Sequence, residues 1–332
     1  MKILVTGGAG FIGSHACKLL AQSGHEPIAY DNLRTGHRWA VQFGPFEHGA
    51  IGDRERLDDV LARHKPDAVM HFAALAYVGE SVTHPGQYYR TNTADTLTLL
   101  DAMRGADVRN IVFSSTCAIF GEPDRMPISE DTAKHPVNPY GQSKLAVEHI
   151  LRDYRSAYGI NFTALRYFNA AGCDPAGILG EEHDPETHLL PLILHAASGQ
   201  RDAITIFGDD YDTRDGTCVR DYIHVEDLCS AHLLALERTA EGQSGHFNLG
   251  NGNGTSVREA VDAAARVTGK DIPTRIGDRR PGDPPTLVAD ASHARETLGW
   301  KPQYEDIETM IKHTWDWQQE HRYRYILKDG EA

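Results

Sequence analysis

The order of apolar and polar positions predicts a chain that alternates strand and helix through its first half. Lys2 to Thr6, Pro27 to Tyr30, Ala68 to Phe72, Asn110 to Ser115 and Phe162 to Tyr167 are short apolar runs of strand length, separated by longer segments with helical spacing. A strand that is apolar on both faces must be covered on both faces, so this rhythm predicts a parallel sheet with crossover helices on either side. After about residue 175 the rhythm breaks into loops rich in Pro, Gly and Asp, short strands such as Ala203 to Phe207 and His246 to Leu249, and helices near Val225 to Ala240 and Ser256 to Thr268. The expectation is a Rossmann-type, doubly wound α/β domain over residues 1–175 and a smaller mixed α/β domain over 176–332. A cleft is expected between them, and the chain is free to cross from one to the other.

Composition narrows the class. The 332 residues are 40% hydrophobic and 24% charged, enough for a sizeable core in a globular chain. The longest apolar runs fall short of the roughly 20 residues a membrane span needs, and the opening MKILVTGG is too short for a signal peptide, so the expected location is the cytoplasm. A formal charge of −14 with no basic stretch argues against nucleic acid or anionic membrane as partner, and an anionic ligand then has to be met by local arginines. Cys17, Cys117, Cys173, Cys218 and Cys229 are scattered without C-x-x-C spacing, which predicts free thiols. None of the 18 histidines falls in an H-E-x-x-H or comparable cluster, so no metal is expected.

The first chemical signal is KILVTGGAGFIGSH, with Gly7, Gly10 and Gly13 between a strand and a helix. Glycine lets the turn close and lets backbone N–H groups approach a pyrophosphate at the helix N-terminus, where the dipole favours negative charge. Asp31, 18 residues past Gly13 at the end of the next strand, is placed to accept both ribose hydroxyls of an adenosine. An acid there repels a ribose 2′-phosphate, which favours NAD over NADP. Asp53, in AIGD after the third strand, is either an adenine contact or an ordinary turn residue.

The second signal is SSTCAIFG followed by NPYGQSK. Asn138 reads as an N-cap and Pro139 as the first helical residue, so Tyr140 and Lys144 lie one turn apart on one helical face. A neighbouring ammonium and a positively charged nicotinamide both favour the phenolate of a tyrosine that is otherwise a poor base near neutral pH. Thr116 or Ser115, at the carboxyl end of a parallel strand, supplies a hydroxyl to steady the proton. Together these predict a device that removes a proton from a hydroxyl while its carbon gives up a hydride. By contrast NLGNGNGTSVREA, with Gly250, Gly252 and Gly254, reads as a turn leading into a helix, because Ser256 and Glu259 form a capping box.

With these motifs in order, joined by DNL, HFAALAYVGES, LRYFNAAG, GTCVRDYIHV and RPGDPPTLVAD, the chain resembles the UDP-glucose 4-epimerase family within the extended short-chain dehydrogenase/reductase superfamily, essentially end to end. The resemblance implies Tyr140 as base, Lys144 on the nicotinamide ribose and Thr116 as proton-transfer partner. It extends the cofactor set to Phe11, Ile12, Asn32, Phe72, Ala73, Ala74, Asn92, Ser114 and Tyr167. For a UDP-sugar it implies Asn169, Arg220 and Arg280 toward the diphosphate, Asp283 on the uridine ribose and Tyr222 lining the nucleotide, with His188 and Leu189 nearby. It also implies a homodimer, through the segments near Pro85 to Met103 and Tyr140 to Tyr158.

Two departures stand out. Ala76 replaces a lysine that some members carry, and Leu287 takes the sugar-gate position where narrow-specificity members carry a bulky Tyr. The smaller gate leaves room for larger sugars such as UDP-N-acetylhexosamines, and UDP-pentoses such as UDP-xylose and UDP-arabinose also stay open beside UDP-glucose and UDP-galactose. A nucleotide-sugar dehydratase of the same fold needs an acid and a base directly after the threonine, where this chain has Cys117 and Ala118. A non-catalytic NAD sensor has no use for the Tyr-x-x-x-Lys pair retained here.

Overall fold

The structure, a computed structural model, describes residues 1–280 and 282–328, with side chains described up to residue 321. Seven strands form one wholly parallel sheet in the order Gly245–Leu249, Asn161–Tyr167, Asn110–Ser114, Ala68–His71, Lys2–Thr6, Glu26–Asp31 and Phe46–His48. Successive side chains of the first strand leave by opposite faces. Ile3 and Val5 enter the layer with Leu20, Leu228 and Phe247, whereas Leu4 enters the layer with Leu57, Leu99 and Val147. Both layers are fully buried, which is why the strands read as unbroken apolar runs.

Two sheet members depart from the expected pattern. Phe46–His48 has three residues, two of them polar or charged, and gives no strand signal of its own. Gly245–Leu249 comes from beyond residue 175 yet pairs along Thr163 to Tyr167, and the preceding helix Val225–Ala240 packs against helix Phe11–Gln22. The large unit is therefore completed by residues from the second half. The remainder of that half makes three small sheets: Asn169–Ala171 with Tyr222–His224; Ile204–Phe207 with Thr274–Gly277; and Val219–Arg220 between Thr255–Ser256 and Thr286–Leu287. They gather around Leu190, Ile193, Ala260, Ala264 and Met310.

Strand order reverses between Lys2–Thr6 and Ala68–His71, and in such sheets the crevice outside the carboxyl ends at that point receives the ligand. Thr6 Oγ1 and His71 Nδ1 are 2.7 Å apart there, and burial pushes His71 down to about 3, so its imidazole stays neutral.

Local chemistry sets the helix ends as expected. Asn138 Oδ1 accepts the Gly141 N–H at 2.9 Å and Pro139 opens helix Pro139–Tyr158. Ser256 and Glu259 form a reciprocal capping box at the start of helix Val257–Thr268. The glycine loop before it is filled from within: the buried Asp221 carboxylate accepts the N–H groups of Asn251 (2.8 Å), Gly252 (3.0 Å) and Ala289 (3.0 Å). The N–H groups of Asn251 and Gly252 are thus already spent on a carboxylate of the protein itself.

Candidate active site

The glycine loop is as tight as its spacing implies. A Cβ on Gly13 would stand 2.1 Å from the Gly7 carbonyl oxygen, and one on Gly7, which sits at φ +74°, would stand 2.7 Å from Ala73 N. Phe72 and Ala73 N–H groups donate to the Thr6 carbonyl at 2.9 and 3.1 Å, so the loop after the fourth strand is pressed against the glycine turn. Helix Phe11–Gln22 then starts with the N–H groups of Phe11 and Ile12 lacking intrahelical partners, as every helix does. Asp31 fastens the same turn from the other side: its Oδ2 accepts from Ala9 N at 3.0 Å and its Oδ1 from Leu33 N at 2.8 Å. Each oxygen keeps lone-pair capacity for a ribose hydroxyl, so these residues fit a dinucleotide.

Neighbouring positions divide between the cofactor and the fold. Asn32 is exposed and accepts the Arg34 N–H at 3.0 Å. Asp53 is the N-cap of helix Arg54–His64, accepting the Arg56 N–H at 3.0 Å, which gives the turn role its due. Ala74 is half-buried on the loop after the fourth strand, and Ala76 is exposed. Asn92 lies on a π-helical turn, Tyr89–Ala94, with its amide spent inside the protein. Its Nδ2 donates to Leu75 O (3.0 Å) and Ser143 Oγ (3.1 Å), and its Oδ1 accepts from Leu75 N (2.8 Å). It thus ties the loop carrying Ala73 and Ala74 to the Tyr140 helix and acts by positioning.

At the carboxyl end of Asn110–Ser114 the two candidate hydroxyls separate. Ser115 Oγ turns inward and donates to Glu148 Oε1 at 2.6 Å. Thr116 Oγ1 accepts the Ala118 N–H at 3.1 Å and interacts with the Tyr140 phenol, so Thr116 is the hydroxyl in the site. Ser114 Oγ is hydrogen-bonded to the Tyr167 hydroxyl, and Tyr88 packs edge-on against the Tyr140 ring at 6.5 Å.

Lys144 Nζ donates to the Ser114 carbonyl at 2.8 Å and lies 4.9 Å above the Phe113 ring. Burial pushes Lys144 down to about 7 and Tyr140 up to about 12; against the latter the Thr116 hydroxyl pulls downward, while Cys117 adds to the rise. The lowering of Tyr140 assigned to Lys144 is not among these influences. Its reason is local, because the ammonium is desolvated and directed at a backbone carbonyl.

A lysine with a depressed folded-state value binds fewer protons folded than unfolded, so it opposes folding below about 7 and the penalty fades as pH rises toward 10.5. Lys144→Met is therefore expected to stabilise the cofactor-stripped protein most at pH 6 and least at pH 10. Urea midpoints at both pH values check this, and a pH-independent difference would contradict it.

The nucleotide-side residues are brought together, partly on each other. Arg220 Nη2 is paired with Asp283 Oδ1, and Arg220 Nη1 donates to its neighbour Val219 O at 2.8 Å. Arg280 is exposed with its guanidinium 4.0 Å over the Phe207 ring. Asn169 Nδ2 donates to Asp221 O at 2.9 Å. Leu287 pairs in register with Arg220 and packs on the cluster of Ile119, Phe120, Leu145 and Phe168 that also holds Cys117. The gate position thus bridges the arginine and the catalytic loop.

Tyr222 departs from its expected role: only 6% exposed, it packs with Leu190 and Ile193, which leaves little ring surface for a nucleotide. Leu189 begins helix Leu189–Ala197. His188, just before it, is 2.6 Å from Glu181 and 3.4 Å from Glu186, and these carboxylates overcome burial and push it up to about 10. The expectation that no histidines cluster with other metal-ligating groups fails here, because Glu181, His183, Glu186 and His188 converge.

Residues 3–250 match the NAD dependent epimerase/dehydratase family. The chain belongs to that family. The UDP-glucose 4-epimerase of Halalkalibacterium halodurans is 51% identical over 332 residues, covering 100% of this chain and 99% of the relative. The crystal structure of UDP-glucose 4-epimerase from Brucella ovis in complex with NAD is 52% identical with a TM-score of 0.93, over 95% of this chain and 97% of that one. The Bifidobacterium longum enzyme in complex with NAD+ and UDP is 38% identical with a TM-score of 0.93, over 97% and 99%.

Two supports of the site gave no sequence signal. Asp221 holds the loop at Asn251 and Gly252 and the strand at Ala289. Glu148 takes Ser115 and, through Oε1 and Oε2, Arg166 at 2.9 and 2.6 Å. Both are acids that meet partners dozens of residues away or on another element. No described helix is long and apolar enough to cross a membrane.

Proposed function

We propose that the chain catalyses reversible 4-epimerisation of UDP-hexoses, UDP-galactose to UDP-glucose, with NAD retained through turnover. The observation that carries this is the Thr116 hydroxyl against the Tyr140 phenol, with Lys144 one helical turn on and its ammonium on the Ser114 carbonyl at the carboxyl end of Asn110–Ser114. When bound, NAD supplies the acceptor and donor of the hydride on sugar carbon 4.

The chain's own residues manage the proton. Tyr140 takes it from the 4-hydroxyl and returns it to the 4-keto oxygen after the sugar has turned over, and Thr116 holds it in line. Lys144 holds the nicotinamide ribose, with Tyr167 and Ser114 beside it. Gly7, Gly10, Phe11, Ile12 and Gly13 take the pyrophosphate; Asp31 and Asn32 take the adenosine end. Arg220, Arg280, Asn169 and Asp283 hold UDP, and a guanidinium fork suits phosphate oxygens. Leu287 faces the sugar, which must turn between its two poses, so tight holding belongs on the nucleotide and loose holding on the sugar. Cys117, raised to about 12 by burial, has no acid–base use near neutral pH, which disfavours the dehydratase chemistry. The enzyme works in the cytoplasm as a homodimer, and the five free cysteines suit a reducing compartment.

The purified protein, given UDP-galactose and no cofactor, is expected to form UDP-glucose, detected by NMR. No conversion by protein that carries NAD would move the assignment to UDP-N-acetylhexosamines or UDP-pentoses.

A further inference from the structure

Outside the catalytic groups, the segment Glu181 to His188 (EEHDPETH) folds so that four side chains aim at one point. We propose that this loop binds one divalent cation of the zinc class, with Glu181, His183, Glu186 and His188 as ligands. One donor atom from each lies within 4.8 Å of all the others. Two imidazoles and two carboxylates are a donor set that zinc-class cations take, and the two negative charges match the cation.

The separations support a common centre. His183 Nδ1 is 3.5 Å from Glu181 Oε1 and 3.4 Å from Glu186 Oε2, and His188 Nδ1 is 3.4 Å from Glu186 Oε1. In a tetrahedral site with bonds of roughly 2.0–2.2 Å, donor atoms stand about 3.4 Å apart. A fourth separation, His188 Nδ1 to Glu181 Oε1 at 2.6 Å, has to widen by about 0.8 Å to meet that geometry.

A second observation points the same way. The Glu181 side chain is 2% exposed and its Oε1 has no well-aligned hydrogen bond, its 2.6 Å neighbour being the His188 ring nitrogen of the same cluster, and the buried Nδ1 of His183 has none either. A buried carboxylate oxygen and a ring nitrogen that face each other without hydrogen-bond geometry are costly as they stand, and a shared cation satisfies both. Glu186 is already oriented, since its Oε1 accepts the N–H groups of Thr187 (2.7 Å) and His188 (2.8 Å). Such outer bonds are what fix ligating carboxylates.

The loop links the segment after Ala68–His71 to the smaller half. Tyr77, on the loop after the fourth strand, donates to Pro185 O at 3.4 Å and meets the His183 ring edge-on at 6.3 Å, and His188 leads into helix Leu189–Ala197. A cation here ties that loop to Tyr77 and to the start of helix Leu189–Ala197, and its uptake is read without any substrate, so the site stands whether or not the substrate assignment holds.

The test is cation uptake by untagged, full-length protein that has been treated with chelator and desalted. Titration with Zn2+ against a chromophoric chelator is expected to give one equivalent per chain, and Co2+ in its place an intense visible band of four-coordinate geometry. The double variant His183→Asn/Glu186→Gln is expected to bind Zn2+ about 100-fold more weakly, with far-UV circular dichroism and NAD content unchanged. Glu186→Gln alone gives the same readout with less disturbance should the double variant fold poorly. Absence of stoichiometric uptake at micromolar Zn2+, or equal uptake by wild type and variants, would overturn the proposal and leave the cluster an ion-pair network only.

Discussion

Tyr140→Phe is expected to lower UDP-galactose turnover by roughly 10²–10⁴-fold, the usual worth of a positioned acid–base group, while bound NAD and the unfolding midpoint stay as in wild type. The expectation follows from what the phenol does and does not touch. Its ring packs on Tyr88 and its hydroxyl meets Thr116, so deleting one oxygen removes the proton carrier and leaves the packing in place. In the protein alone, burial holds Tyr140 at about 12 and Lys144 at about 7, so the chain's own groups favour the phenol near neutrality. A base must be deprotonated to act, and the positive nicotinamide ring of bound NAD+ favours the phenolate. Wild-type activity is therefore expected to fall as pH drops through the holoenzyme's apparent value, and that acid limb is expected to vanish from the residual rate of the Phe variant. An unchanged acid limb in the variant would assign the base to another group, and wild-type-like turnover would remove Tyr140 from the chemistry.

What was legible in the sequence was local or periodic. Gly7, Gly10, Gly13 and Asp31 sit within one strand–helix–strand unit, so their spacing already dictates a shared place. Tyr140 and Lys144 are one helical turn apart, and Asn138-Pro139 sets where that helix begins. The strands were readable because both faces of the sheet are buried, and Phe46–His48 was not, because three residues with a central glutamate carry no pattern. The sequence already favoured Thr116 over Ser115, but why Ser115 turns away was not readable, because it depends on where Glu148 lies, 33 residues later in the chain. The Arg220–Asp283 pair and the Asp221 loop anchor depend in the same way on short strands meeting across the smaller half. The Glu181 to His188 cluster lies within one octapeptide, yet its spacing matches no helical metal motif, and only the loop conformation brings the four groups to one side.

Glu148→Ala is the substitution expected to cost the most stability, about 3–5 kcal/mol in urea unfolding. Glu148 lies one turn beyond Lys144 on the same helix, and Arg166 stands within the strand Asn161–Tyr167, only 2% exposed. Burial alone would raise the carboxyl, but the two Arg166 hydrogen bonds and the Ser115 hydroxyl outweigh it and hold Glu148 below its usual value. A carboxylate depressed in the folded state contributes stability above its unfolded value and loses it as pH falls through the folded one, so the cost of Glu148→Ala is expected to be full at pH 7 and to shrink in acid.

Truncation leaves a guanidinium in the core with nothing to neutralise it, and this stranded charge is the main expense. Glu148→Leu with Arg166→Met, which removes both charges and keeps the volume, is then expected to recover most of the lost stability. The same pair separates packing from chemistry: with Ser115 freed from Glu148 beside Thr116, the double variant is expected to fold well and turn over slowly. A loss below about 1 kcal/mol for Glu148→Ala, in the range of an exposed pair, would show that water reaches Arg166 and that the core charge pair does not hold the strand to the catalytic helix.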